Sequence, residues 1–225
     1  MVYRRNRVKN AAGKPGLTNP EEVVLNNTGP KVKLSRRLGI PLTPKAARVM
    51  EKKSYPPGAH GQSKQFQRKV SEYGRQLMEK QRLRAQYNIH ERQLRNYMAR
   101  ATRKQGVTGT VLLQILETRL DAFVYRAGFA PTIYAARQLV THGHVMVDDR
   151  RVDLPANEIK IGQMIAIKPK SRQMPLIIEA IGNVNPPAYI EVDRNNFSAR
   201  LLRLPDREEV PIICELSLVT EYYSR

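Results

Sequence analysis

The sequence predicts an α+β protein: a helical, strongly basic first domain followed by a small mixed α/β unit. Three observations carry this. Apolar residues between 66 and 101 recur at helical spacing, the chain beyond Gly109 breaks into short apolar runs bounded by turn residues, and the charge changes character at the same place. Residues 1–108 hold 25 Lys+Arg against 6 acids, whereas residues 109–225 hold 14 of each, so the whole formal charge of +19 lies in the first half. A merely solvated surface mixes the signs, and a surplus confined to one half is built for a polyanion.

Residues 1–28 mix Arg4, Arg5, Arg7 and Lys9 with Gly, Pro and Asn and show no apolar period. They read as a flexible basic extension that orders only on binding. The stretch to residue 63 is basic and irregular and ends in Tyr55-Pro56-Pro57-Gly58-Ala59-His60-Gly61. Pro57-Gly58 suits the centre of a type II turn, which makes this a stiff loop whose Tyr55 and His60 are candidates either to stack on bases or to pack the loop against the following helix. Phe66, Val70, Tyr73 and Leu77 then step by four, three and four and predict a helix with that stripe inward, leaving Arg68, Lys69, Arg75, Lys80, Arg82 and Arg84 on much of the rest. In the next helix Leu94, Tyr97, Met98 and Ala101 face inward, and Arg92, Arg95, Arg100 and Arg103 lie towards the opposite side. Only Glu72, Glu79 and Glu91 interrupt the basic residues between Lys64 and Lys104, too few to pair them, so these faces read as phosphate-facing.

Beyond Gly109, Leu112, Ile115, Leu116, Leu120 and Phe123 form another helical stripe, ended by Gly128 and Pro131. Thr132 caps a short helix through Ala135, Ala136, Leu139 and Val140 that stops at Gly143. Arg137 is the basic residue of that otherwise apolar segment and is the strongest single candidate there for a phosphate contact. His142 and His144, at the helix exit, suit hydrogen bonding or stacking on a nucleic acid better than metal binding. Residues 144–147, the turn Asp148-Asp149 and Val152 predict a hairpin, and residues 164–167 a further strand. Residues 172–185 fit neither period. Residues 189–192, 201–204 and 216–219 read as short strands or extended edges.

Several function classes are excluded. No apolar run approaches the ~20 residues of a membrane span, and no apolar segment follows the first basic residues as in a secretory signal. Cys214 is the only cysteine and sits in an apolar run, so it reads as a core thiol in a reducing, cytosol-like compartment. Neither a Gly-x-x-x-x-Gly-Lys loop nor a Cys/His quartet at zinc spacing is present, so no cofactor, metal or small-molecule substrate is expected.

The residues also carry a family likeness. The runs Leu116-Glu117-Thr118-Arg119-Leu120, Val124-Tyr125-Arg126-Ala127-Gly128-Phe129-Ala130, Ala135-Ala136-Arg137-Gln138-Leu139-Val140 and His142-Gly143-His144-Val145 resemble the RNA-binding module named after ribosomal protein four of the small subunit. The loop 55–61, Glu79-Lys80-Gln81-Arg82-Leu83-Arg84, Gly106-Val107-Thr108-Gly109 and Glu221-Tyr222-Tyr223-Ser224-Arg225 are similar to that bacterial-type family itself. The resemblance implies that the module, about 111–185, is inserted in a helical domain of about 29–110 completed by about 186–225. It implies early binding to small-subunit ribosomal RNA that nucleates assembly of the subunit body. It further implies a place beside the path by which mRNA enters the subunit, ribosomal protein five as a neighbour, and Arg119, Arg126 and Gln138 among the RNA contacts.

Three departures stand out. Many members carry four metal-binding cysteines near the start, where this chain has Val32, Ser35, Thr43 and Arg48, which places it in the metal-free branch. The hairpin tip, commonly Asn-Gly, is Asp148-Asp149, and two acids argue against a phosphate contact there. Ala122 stands where Asn is common. The rival reading is an RNA-modifying enzyme carrying the same module, since Arg119-Leu120-Asp121 resembles the triplet bearing the catalytic aspartate of pseudouridine synthases. Its continuation, Ala122-Phe123-Val124, does not match those enzymes, and no remaining segment is long enough for a catalytic domain.

Overall fold

A computed structural model describes residues 29–62, 70–183 and 185–225. The expected extension over 1–28, and the expectations for Phe66, Arg68 and Lys69, lie outside the described residues.

The segment expected to be irregular contains two helices, α1 (Lys31–Leu38) and α2 (Pro44–Lys52). Their signals lie in the caps rather than in an apolar period. Gly39 ends α1 in the left-handed region at φ 70°, and Thr43 caps α2 by accepting a hydrogen bond from Ala46 N–H at 3.2 Å, with Pro44 in the first turn. Ser35 is fully buried between them. Its hydroxyl donates to the Lys31 carbonyl at 2.9 Å and accepts from Leu42 N–H at 3.2 Å.

Helix α3 (Glu72–Gln86) starts later than expected and turns a different face inward. Ser71 caps it through Gly74 N–H, which leaves Val70 outside; Val70 and Tyr73 are 56% and 50% exposed, while Gln76, Glu79, Lys80 and Leu83 are buried. The expectation of an inward stripe is thus corrected at Val70 and Tyr73. Polar side chains occupy the inner face beside the C-terminal segment, which meets part of their hydrogen bonding: Gln76 donates to Glu221 at 3.0 Å and Glu79 accepts from Glu215 N–H at 2.9 Å. Helix α4 (Glu91–Arg103) buries Leu94, Tyr97, Met98 and Ala101 as expected.

The stripe from Leu112 to Phe123 spans two helices, α5 (Thr108–Glu117) and α6 (Leu120–Arg126), rather than one. Between them Thr118 and Arg119 pair with an extended segment instead: Ile159 N–H donates to Thr118 O at 2.7 Å and Leu120 N–H to Asn157 O at 2.8 Å. Helix α7 (Ile133–Thr141) is capped by Thr132 and left through Gly143 at φ 70°. The hairpin β1 (Val145–Val147) and β2 (Arg150–Arg151) turns through Asp148 and Asp149, both left-handed at φ 46° and 64°. The Asp148 carboxylate accepts from Met164 N–H at 3.0 Å and the Gln163 amide at 2.8 Å, tying the turn to β3 (Met164–Ile167). The ambiguous stretch holds α8 (Pro175–Asn183).

Strands β4 (Ile190–Asp193) and β5 (Ser198–Leu201) complete an antiparallel sheet in the order β2-β1-β3-β5-β4. The strand expected at 201–204 therefore lies earlier, with only Leu201 shared. Residues 216–219, expected to be extended, open α9 (Leu216–Ser224). Burial of Leu216 and Val219 and half-burial of Tyr223, at spacings of three and four, make one helical face against α3 and α4.

Two cores result. One joins α3, α4 and α5 with Val210, Ile212, Leu216 and Val219; the other joins α6, α7 and the sheet. Helix α5 packs with the first core, and the chain returns to it from about Val210, after residues 190–201 have finished the sheet.

A buried polar seam joins the two units. The Glu117 carboxylate accepts the hydroxyls of Tyr87 at 2.5 Å and Tyr189 at 3.0 Å and pairs with the Arg126 guanidinium at 3.0 Å. Burial, reinforced by the Glu117 charge, pushes both phenols above their ordinary range. A raised phenol pKa adds stability that is intact below pH ~10 and lost as pH rises beyond it, because the unfolded chain gives up protons that the folded one keeps. Urea unfolding is therefore expected to show stability falling above pH ~10 by about 1.4 kcal/mol per pH unit for each such tyrosine. Tyr87→Phe should lessen the fall. Equal stability at pH 8 and pH 11 would contradict this.

Candidate nucleic-acid interface

The clearest anion-binding surface is the outer face of α4. Arg92, Arg95 and Arg103 lie within one stripe opposite the buried Leu94 and Ala101, and all three are exposed. None has a carboxylate within ion-pair distance among the described residues. The nearest acid in sequence, Glu91, is occupied: Lys80 reaches it at 3.0 Å, Arg84 at 3.7 Å and the Tyr223 hydroxyl at 2.8 Å. A second basic surface lines the cleft between α1 and α3, about 620 Å³ in volume, with Lys33, Arg37 and Arg84 at its wall and Leu77 and Met78 at its floor. Lys33 and Arg37 were missed at the sequence level. Their shared face, four residues apart, shows only once α1 is known to be helical.

Other candidates are placed differently. Arg75 pairs with Glu72 at 2.8 Å, but both are half exposed, so the pair is worth little and Arg75 stays reachable. Arg82 is committed to the fold, donating to the Leu38 carbonyl at 2.9 Å and pairing with Glu79 at 2.5 Å. Lys80 is 4% exposed and serves Glu91 and the Tyr222 ring. The Tyr55 ring lies under the Arg36 guanidinium, 4.8 Å away, and Arg36 also donates to the Tyr55 carbonyl at 2.9 Å. Gly58 is left-handed at φ 113°, but the hydrogen-bonded turn lies further on than expected, with Gly61 N–H donating to Gly58 O at 3.1 Å, and His60 is exposed within it.

Within the module three arginines are structural rather than phosphate-facing. Arg119 is fully buried and holds Asp121 through two bonds of 2.9 and 2.5 Å and the Tyr97 hydroxyl at 2.6 Å. Burial works against its charge, but Asp121 and Tyr97 more than offset that and raise its pKa. Arg126 is committed to Glu117. Arg137 reaches across to the Asn88 carbonyl at 3.3 Å and lies 3.5 Å from Asp121, so it staples α7 to the helical unit. Each of these side chains answers a buried acceptor, which hydrophobic periodicity does not reveal.

Gln138 and His142 remain exposed, and with His144 they line a hollow of about 100 Å³. His144 is oriented by Ser171 at 2.9 Å, its ring 6.0 Å from that of His142. Arg151, also missed, lies across Gly143; a Cβ there would stand 2.1 Å from the Arg151 Nε. The glycine thus admits a cation beside His142 that only the folded hairpin brings there.

Asp121 cannot meet a substrate. It is fully buried, and its oxygens accept from Arg119 and from Ala122 N–H. Burial pushes the Cys214 thiol up to about 12, consistent with a core thiol. The residues at the positions of the family's cysteines do not fit a metal: Val32, Ser35, Thr43 and Arg48 offer no thiolate, and Ser35 spends its hydroxyl bridging α1 to the turn.

Residues 26–117 match the family described as "Ribosomal protein S4/S9 N-terminal domain", and residues 118–165 match the S4 domain. The junction between these matches falls where α5 ends. The small ribosomal subunit protein uS4 of Clavibacter michiganensis is 52% identical over 205 residues, 88% of this chain and 97% of the relative. The chain belongs to the uS4 family. The uS4 proteins of Micrococcus luteus and Streptomyces avermitilis are 51% and 46% identical over 200 and 205 residues, covering 86% and 89% of this chain and 95% and 99% of theirs. This is a ribosomal family, not an enzyme family, and the α+β architecture with its RNA-binding module accords with membership. No helix among the described residues is long and apolar enough to cross a membrane.

Proposed function

We propose that the chain is a structural constituent of the small ribosomal subunit that binds its ribosomal RNA through the helical unit, with the module as a second contact. The observation that carries this is the outer face of α4, where Arg92, Arg95 and Arg103 stand exposed without carboxylate partners, in a chain whose relatives are named for that subunit. A face of like charges without carboxylate partners favours a polyanion, and its breadth suits a folded RNA junction gripped by phosphate and shape. The finer reading is that the protein binds early, nucleates assembly of the subunit body, and lies beside ribosomal protein five and the incoming mRNA. It rests on the family resemblance.

The test is ultraviolet crosslinking of the protein to total cellular RNA, followed by sequencing of the attached fragments. Fragments concentrated in one region of small-subunit ribosomal RNA are expected. Fragments spread over messengers and transfer RNAs in proportion to their abundance would overturn the reading.

A further inference from the structure

At the edge of the α4 basic stripe, Tyr73 from the first turn of α3, Tyr222 and Tyr223 from the last turn of α9, and Arg95 converge with Arg225 on an open notch of about 390 Å³. Among the described residues, no acidic side chain lines it. The Tyr222 ring is fixed from behind. Lys80 lies 4.6 Å over it, and Tyr223 meets it edge-on at 5.3 Å and 89°, itself held by its hydroxyl's bond to Glu91. Tyr73 stands 5.9 Å from Tyr222, tilted by 34°, and is half exposed.

A surface that only grips phosphates has no use for converging phenol rings, whereas an unpaired nucleobase offers each ring a flat face. We propose that this notch is a stacking site for one unpaired RNA base, with the base on the Tyr73 ring against Tyr222 and Arg95 on the adjoining phosphate. The site rests on the RNA-binding reading above and adds to it a contact for single-stranded rather than paired nucleotides. RNA is favoured over a protein partner because the notch continues the unpaired cationic stripe and, among the described residues, no acidic side chain lines it.

The experiment uses the full chain with two probes, a short oligouridylate bearing one 5-iodouridine and a fully paired RNA duplex of the same length. Binding is measured by fluorescence anisotropy, and the crosslinked residue is mapped by mass spectrometry. Tyr73→Ala should weaken the single strand by about 5- to 150-fold with an unchanged salt slope, and leave the duplex alone. Tyr73→Phe should restore it, Arg95→Ala should lower the salt slope by about one, and the crosslink should fall on Tyr73 or Tyr222. An equal loss for the duplex, or a crosslink elsewhere, would overturn the site. Full single-strand affinity in Tyr73→Ala would assign the notch to a protein contact and overturn the site while leaving RNA binding intact. Failure of the unaltered protein to bind either probe would overturn both readings.

Discussion

Replacing Asp121 by Ala is expected to cost about 3–5 kcal/mol of stability, because it strands a fully buried guanidinium. Asp121 accepts from Arg119 at 2.9 and 2.5 Å and from Ala122 N–H at 2.9 Å, and it lies 3.5 Å from Arg137. Water cannot enter to take over these bonds, since both Arg119 and Asp121 are fully buried. Changing Arg119 to Met and Asp121 to Leu together should recover much of the loss, because no charge then remains unpaired. The recovery should be incomplete, as the Tyr97 hydroxyl and Ala122 N–H would still lack partners. Urea unfolding of the single and double variants measures both. A loss below ~1 kcal/mol in Asp121→Ala would mean that the Arg119 guanidinium finds other partners and that the pair is not the buried tie its geometry implies.

Removing the Glu117 carboxylate should cost a similar amount, about 3–5 kcal/mol, and should loosen one unit from the other. Glu117→Ala takes the acceptor from Tyr87 and Tyr189 and the counter-charge from Arg126 at once. The surface pair between Arg100 and Glu158 also bridges the units but is 42% and 44% exposed, so Glu158→Ala should cost less than ~1 kcal/mol. Hydrogen exchange then separates the two variants: Glu117→Ala should raise exchange on both sides of the seam, and Glu158→Ala should leave it nearly unchanged. Matching exchange in the two variants would count against the buried seam.

These two sites also mark how far the sequence is legible. Helix α4 could be read because Leu94, Tyr97, Met98 and Ala101 form a plain apolar stripe. Helix α7 could be read because Thr132 and Gly143 bracket it. Helix α3 was misread in its facing because Gln76, Glu79 and Lys80 are buried by partners from α9 and α4, which no local pattern announces. Helices α1 and α2 hid because they are basic, although Gly39 and Thr43-Pro44 mark their ends. The candidate site divides in the same way. Arg92, Arg95 and Arg103 are exposed as their spacing predicts, whereas Lys80, Arg82, Arg119, Arg126 and Arg137 are drawn inward by carboxylates and carbonyls distant in sequence or only just beside them. A count of basic residues finds the half of the chain that carries the surplus charge, and only the fold tells which cations are spare.

That distinction is tested most directly by a filter-binding salt titration on small-subunit ribosomal RNA. Changing Arg92, Arg95 and Arg103 to Ala together removes three exposed cations that form no ion pair among the described residues, and circular dichroism checks that folding is kept. The slope of log K against log salt should become shallower by about two to three units, roughly 0.7–0.9 for each phosphate released, and affinity for scrambled RNA should fall in parallel. Arg82→Ala should instead lower stability and leave the slope close to that of the unaltered protein, because its guanidinium is spent on Leu38 and Glu79. A triple variant that folds and keeps the original slope would contradict the account, and the charge on α4 would then be ordinary solvated surface.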